Sequence, residues 1–168
     1  MIVDRLILEA VEEAMTMFHG TPKDFEKLKL NEHGILWLAF EERVGSAYAK
    51  PYYKDALTRR LWTIELKEGV KIIDMEDTTN PHIQHLISVF NDNPMKTEKI
   101  TDEDWKKWYC DFATIEHKPW IRGYLKSKKV AGVIVNDNTS GKGDVSIDHK
   151  SLALFTLTAI QSATKQSI

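Results

Sequence analysis

A histidine closes the short apolar run at residues 15–18, and "FHGTP" (18–22) continues with glycine, threonine and proline. His19 is therefore either a ligand-facing residue on an exposed strand end or the polar start of a turn, and Gly20-Thr21-Pro22 alone supports a turn. Other residues of chemical type are spread along the chain. His82 and His85 stand at i, i+3 and could share a metal, but no cysteine or carboxylate set at metal-ligand spacing joins them, so surface histidines are expected. "SGKGD" (140–144) is glycine-rich without the spacing or following helix of a phosphate loop, and reads as a hairpin-type loop. Glu41-Glu42 suits acid/base work or the acidic start of a helix. Cys110, the single cysteine, is expected to be a buried helical thiol, and it excludes an internal disulfide framework. No G-x-S-x-G elbow is present, which removes the usual hydrolase triad.

The elements that must position these residues follow from periodicity. Residues 2–14 carry apolar positions near a 3.6-residue period and read as an amphipathic N-terminal helix. Strands are expected at 15–19, 34–40, 59–66, within 67–75 after a turn at Gly69, at 130–136 and at 151–157. Residues 21–30 read as a loop, and 41–53 are helix-compatible as far as Pro51. Helices are expected at 80–92, at 101–112 behind the acidic cap "TDED", and at 119–129 with proline at the start. Short strands with helices grouped between them, rather than strictly alternating, indicate an α+β fold in one domain of 168 residues.

Composition narrows the function classes. A net charge of −2 gives no global electrostatic case for nucleic acid or anionic membranes. No apolar run approaches the roughly 20 residues of a membrane span, and the acidic N-terminus lacks a signal-peptide layout, so a cytoplasmic protein is expected.

Three segments in order resemble the ADP-ribosyltransferase fold of the diphtheria-toxin and poly(ADP-ribose) polymerase type. They are the strand ending in His19-Gly20-Thr21, the stretch "ILWLAFEERVGSAYA" (35–49) and the closing "SLALFTLTAIQSA" (151–163). The last is similar to the ending of phage-associated, barrel-type members. Between them, "RRLWTIELKEGVKIIDM" and "YLKSKKVAGVIV" resemble the family's intervening strands, so the likeness spans most of residues 15–165. It departs from the family in two places: Trp37 stands where the first tyrosine belongs, and Ser151 stands where a glutamate usually begins the closing strand.

The resemblance implies a split β-sandwich or barrel with peripheral helices, 1–14 forming the N-terminal helix and 15–165 the core. It implies NAD as co-substrate and a mono-ADP-ribosyltransferase of phage or bacterial mobile-element type, acting on a macromolecular acceptor, protein rather than nucleic acid. NAD would be held by His19, Gly20, Thr21, Trp37 and Tyr48. His19 would bond the nicotinamide-side ribose, the Gly20 backbone would hold the carboxamide, and Trp37 and Tyr48 would sandwich the nicotinamide ring. His19, Trp37 and Ser151 would form the catalytic set, with Asp148 as the acid nearest the closing strand. No metal is implied. The alternative is a catalytically degenerate module of the same fold that binds NAD, ADP-ribose or a protein. A Ser151→Glu replacement, which restores the family's acid, is the discriminating change the resemblance suggests.

Overall fold

A computed structural model describes residues 15–49, 58–95, 97–137 and 149–168. The expected N-terminal helix, the stretch around Pro51, the "SGKGD" loop and Asp148 lie outside them.

Seven strands form one mixed sheet in the order β4-β5-β6-β2-β1-β3-β7. They are β1 (Met15–Thr21), β2 (Leu36–Ala39), β3 (Arg60–Leu66), β4 (Ile72–Asp74), β5 (Gly132–Asp137), β6 (His149–Leu154) and β7 (Ile160–Ser167). All neighbouring strands are antiparallel except β4 and β5. A parallel pair needs a long crossover, and here it is the helical run α2 (Pro81–Asn91), α3 (Asp102–Trp108), α4 (Phe112–His117) and α5 (Pro119–Ser127). A short α1 (Glu42–Tyr48) follows β2 directly. The α+β class is therefore as expected, with five helices among the described residues. None of them is long and apolar enough to cross a membrane.

Period-two alternation assigns the sheet's two faces. Val133, Val135, Ala153 and Phe155 face the helices and pack with Ile83, Leu86, Trp105, Ile115, Ile121 and Leu125. Their neighbours Ile134, Leu152 and Leu154 face the other way and pack with Met17, Leu38, Trp62 and Ile64. This second cluster takes residues from β1 and β3 as well as from β5 and β6, so the sheet curls around it. A single residue pair, Phe18 with Ala39, joins β1 to β2 at the middle of the order.

Two elements differ from expectation. The helix expected at 101–112 is two helices, because Asp111 caps α4 by accepting from the Thr114 N–H and ends the run. Cys110 lies in the link between them rather than within a helix. It is buried, its Sγ lies 3.1 Å from the Met75 carbonyl, and burial raises the thiol far above its ordinary value. The capping box expected at "TDED" is present between Thr101 and Asp104. The second difference is β7, where residues 160–167 pair along β3 although their sequence, "IQSATKQS", has little apolar content.

Candidate active site

The site begins with two glycines that let α1 lie on β1. A Cβ on Gly20 would stand 1.8 Å from the Gly45 carbonyl oxygen, and one on Gly45 would stand 2.7 Å from Phe18 Cβ. This close approach sets the last turn of α1, and with it Tyr48, beside the end of β1. Gly20 therefore serves strand–helix packing; the space its missing side chain leaves is filled by α1, not by a ligand.

Beside this contact is a cavity of about 300 Å³, at the lower end of small-molecule sites. His19 and Gly20 of β1, Trp37 of β2, Tyr48 of α1 and Ser151 of β6 all line it. Asp137, at the end of β5, and Glu116, on α4, complete its wall. Thr21 does not take part. It is buried, and its Oγ1 lies 3.2 Å from the Lys23 N–H and 3.1 Å from the Lys23 carbonyl, which closes the turn after β1. In "FHGTP" the turn is therefore at Thr21, while His19 lines the cavity.

His19 is held in one tautomer. Its Nδ1–H donates to the Trp37 carbonyl at 2.8 Å, since a carbonyl can only accept, and Nε2 keeps its lone pair. Burial lowers the imidazole pKa, and the bond to Trp37 opposes this only in part, so the ring is neutral at pH 7. The side chain of Trp37 is fixed at its other end, where Nε1–H donates to Glu116 Oε1 at 3.0 Å. Two Arg122 bonds, to the carbonyls of Ile115 and Glu116 at 2.6 and 2.8 Å, close the end of α4 beneath that carboxylate.

The buried carboxylate of the cavity is Asp137. Strand register places Asp137 opposite His149 and Val135 opposite Ser151, so Asp137 and Ser151 are diagonal neighbours across β5 and β6. Ser151 Oγ donates to Asp137 Oδ2 at 3.2 Å, and the Tyr48 hydroxyl donates to the same oxygen at 2.6 Å. His149 Nε2 stands 2.9 Å from the Tyr48 hydroxyl and 3.4 Å from Asp137 Oδ2. With the phenolic proton on Asp137, His149 Nε2–H has the Tyr48 oxygen as its acceptor. The result is a buried carboxylate tied to one strand, one helix and one imidazole.

Of the residues expected in the site, the cavity brings together His19, Gly20, Trp37, Tyr48 and Ser151. Thr21 belongs to the turn, and Asp148 lies outside the described residues. Sequence reasoning missed Asp137, Glu116 and His149. A signal for Asp137 was present, since it follows the apolar strand "VAGVIVN" by one residue.

The other polar groups singled out in the sequence do not line the cavity. Glu41 and Glu42 are exposed at the start of α1. His82 Nδ1 is 3.2 Å from the Tyr124 hydroxyl, and His85 stacks on the Tyr124 ring at 4.4 Å. No group of three or more His, Cys, Asp or Glu among the described residues could hold a metal ion.

Ser151→Glu now carries a different expectation. Ser151 is buried with its hydroxyl on Asp137, so a glutamate there would set two carboxylates side by side in low dielectric. The variant is expected to unfold at lower temperature than the parent and to gain no activity. A melting curve with a parallel NAD-turnover assay checks both.

No protein-family model, no curated protein and no solved structure matches the chain.

Proposed function

We propose that the cavity is an NAD site and that the chain is a mono-ADP-ribosyltransferase acting on a macromolecular acceptor, protein rather than nucleic acid. The observation that carries this reading is the convergence of His19, Trp37, Tyr48 and Ser151, from four separate elements, on one cavity that also holds a buried carboxylate. The curl of the sheet around a shared core, with a single residue pair at its middle, supports the split-sheet architecture that the resemblance implies.

The reaction breaks the bond between nicotinamide nitrogen and ribose C1′, and forms a bond from C1′ to an acceptor nucleophile, whose proton is released. Positive charge develops on the ribose as the bond lengthens, so a fixed negative charge nearby lowers the barrier. Asp137 supplies that charge in place of Asp148, and Ser151 orients it. His19 Nε2 accepts a hydrogen bond from a ribose hydroxyl, which requires the neutral ring that burial enforces. The indole of Trp37, anchored on Glu116, and the ring of Tyr48 offer aromatic faces for a planar, electron-poor ring. The Gly20 backbone lines the cavity and is the candidate partner for the carboxamide.

The test is nicotinamide release from NAD by the purified chain, with and without an acceptor lysate, beside His19→Ala. The expected result is release that rises with lysate and falls about tenfold or more in the variant, through loss of one ribose hydrogen bond. Release that ignores lysate would assign NAD hydrolysis instead, and release that ignores His19 would remove that residue from the mechanism.

The neutral His19 also has a pH signature. Its pKa is lower folded than unfolded, so the unfolded chain binds the extra proton first. The stability tied to this group is present above its unfolded value, about 6.5, and is lost as pH falls through the folded value below it. Tm is therefore expected to fall on acidification below about pH 6.5, and less steeply in His19→Gln. Equal slopes in the two proteins would contradict the assignment.

A second reading, the degenerate binding module, is favoured by one feature. Asp137 Oδ2 already receives two hydroxyl donors, which partly compensate its charge. It predicts NAD or ADP-ribose binding without nicotinamide release.

A further inference from the structure

At the end of β5 and β6 remote from Asp137 lies a second hollow, of about 530 Å³. The six residues of β5 separate the two ends, a span of roughly 20 Å at strand rise. The floor of the hollow is apolar, built from Val130, Ala131 and Phe155, and its wall carries Lys71, Lys126 and Lys129. No carboxylate is among the described residues that line it.

The fold fixes the backbone of one of these lysines, and a hydrogen bond engages a second. Lys129 has a φ of 60°, the left-handed region, just after the end of α5. Glycine is the usual residue at such a helix end because a side chain is strained there, and here a lysine holds the position, its N–H and that of Val130 closing the helix on the Lys126 and Leu125 carbonyls. The Lys71 ammonium has a fixed partner beside the hollow. Its Nζ donates to His82 Nε2 at 3.1 Å, and His82 Nδ1–H donates to the Tyr124 hydroxyl at 3.2 Å.

We infer that this hollow binds the phosphoryl group of a small phosphate ester. Three lysines line the hollow with no carboxylate among its described lining residues, so its wall offers positive charge to an anion. A phosphate monoester carries about −1.5 to −2 charge at pH 7 and so matches three lysines better than a carboxylate does. Lysine binds phosphate as a point charge and needs no bidentate geometry. The apolar floor accounts for an ester rather than the bare ion, since it offers the organic body a surface shielded from water. The rim adds Thr156 and Thr158, whose hydroxyls are 2.8 Å apart and bonded to each other. The site is independent of the NAD cavity.

The test uses the ¹⁵N-labelled full chain titrated with phenyl phosphate, inorganic phosphate and phenol, following the amides of Ala131, Phe155 and Thr156. Phenyl phosphate is expected to shift these amides saturably, inorganic phosphate to do so several-fold more weakly, and phenol to leave them unmoved. Equal binding of the two phosphates would keep the phosphoryl site and make its source the free ion. The doubly exchanged Lys126→Glu/Lys129→Glu chain, altered only at exposed positions, is expected to lose the shifts. Lys129→Gly separates binding from folding: relief of the strained backbone raises Tm, while removal of one charge-assisted hydrogen bond lowers affinity about tenfold. Absence of saturable shifts with either phosphate, or shifts that survive the double exchange, would overturn the inference.

Discussion

Asp137→Asn is expected to lower the rate of nicotinamide release by two to three orders of magnitude, the usual loss when one preorganised electrostatic group is removed, about 3–4 kcal/mol in the barrier. The substitution is nearly isosteric, and the remaining side-chain carbonyl can still accept from Tyr48 and Ser151. What disappears is the negative charge facing a developing cation. Because Asp137 is buried, its charge is poorly screened there. NAD affinity is expected to change far less than the rate, since charge on the ribose develops only as the bond breaks. A single-turnover assay at saturating NAD, with equilibrium binding measured alongside, separates the two quantities. A rate equal to the parent's would exclude Asp137 as the stabilising group. Equal binding by both proteins with no release from either would establish the degenerate module.

Why Asp137 escaped sequence reasoning is a matter of register. The motif likeness points to the first residue of the closing strand, where Ser151 stands, and to the acids just before it. The buried carboxylate of the cavity comes from the neighbouring strand. Asp137 reaches Ser151 only because β5 and β6 pair antiparallel with Val135 opposite Ser151, and nothing local in "VIVND" states that register. A one-residue slip would turn Asp137 to the other face of the sheet. His19, Trp37 and Tyr48 were legible for the opposite reason, because the resemblance that singled them out rests on short local stretches, 19–21 and 35–49. Thr21 was legible too, but as the turn residue that its neighbours Gly20 and Pro22 announce.

The fold shows the same division. The helix-facing and core-facing residues of β5 and β6 follow from alternation and apolar density. β7 does not, because hydrophobic patterning reports burial, and this edge strand is exposed along most of its length. Its pairing rests on backbone bonds to β3, which leave no trace in side-chain type. The break between α3 and α4 was readable in principle, since Asp111 precedes an apolar run as an N-cap residue does. The aromatic cluster "DWKKWYCDF" obscured it by continuing the helical period across the link.

Gly20→Ala should produce the largest loss of stability of any single methyl addition in the chain's described glycines. The new Cβ would stand 1.8 Å from the Gly45 oxygen and 2.9 Å from the Ala49 nitrogen. Both are backbone atoms, so no rotamer change relieves the clash and α1 must move away from β1. Overpacking of this kind typically costs 1–3 kcal/mol, and a backbone clash belongs at about 3 kcal/mol or more. For a domain of this size that lowers Tm by roughly 6–12 °C. Gly123→Ala is the control, because its Cβ meets nothing within 4 Å in the middle of α5. There alanine is expected to stabilise by about 0.5–1 kcal/mol through helix propensity. The functional consequence of Gly20→Ala follows from what α1 carries. Displacing the helix draws the Tyr48 hydroxyl off Asp137 Oδ2, leaving the carboxylate one donor short and one wall of the cavity open. A loss of NAD binding in Gly20→Ala at temperatures where the protein is still folded would show that strand–helix contact, rather than the glycine's openness to ligand, is what the site requires. Unchanged Tm and unchanged binding would mean that α1 does not lie on β1 as closely as 1.8 Å implies.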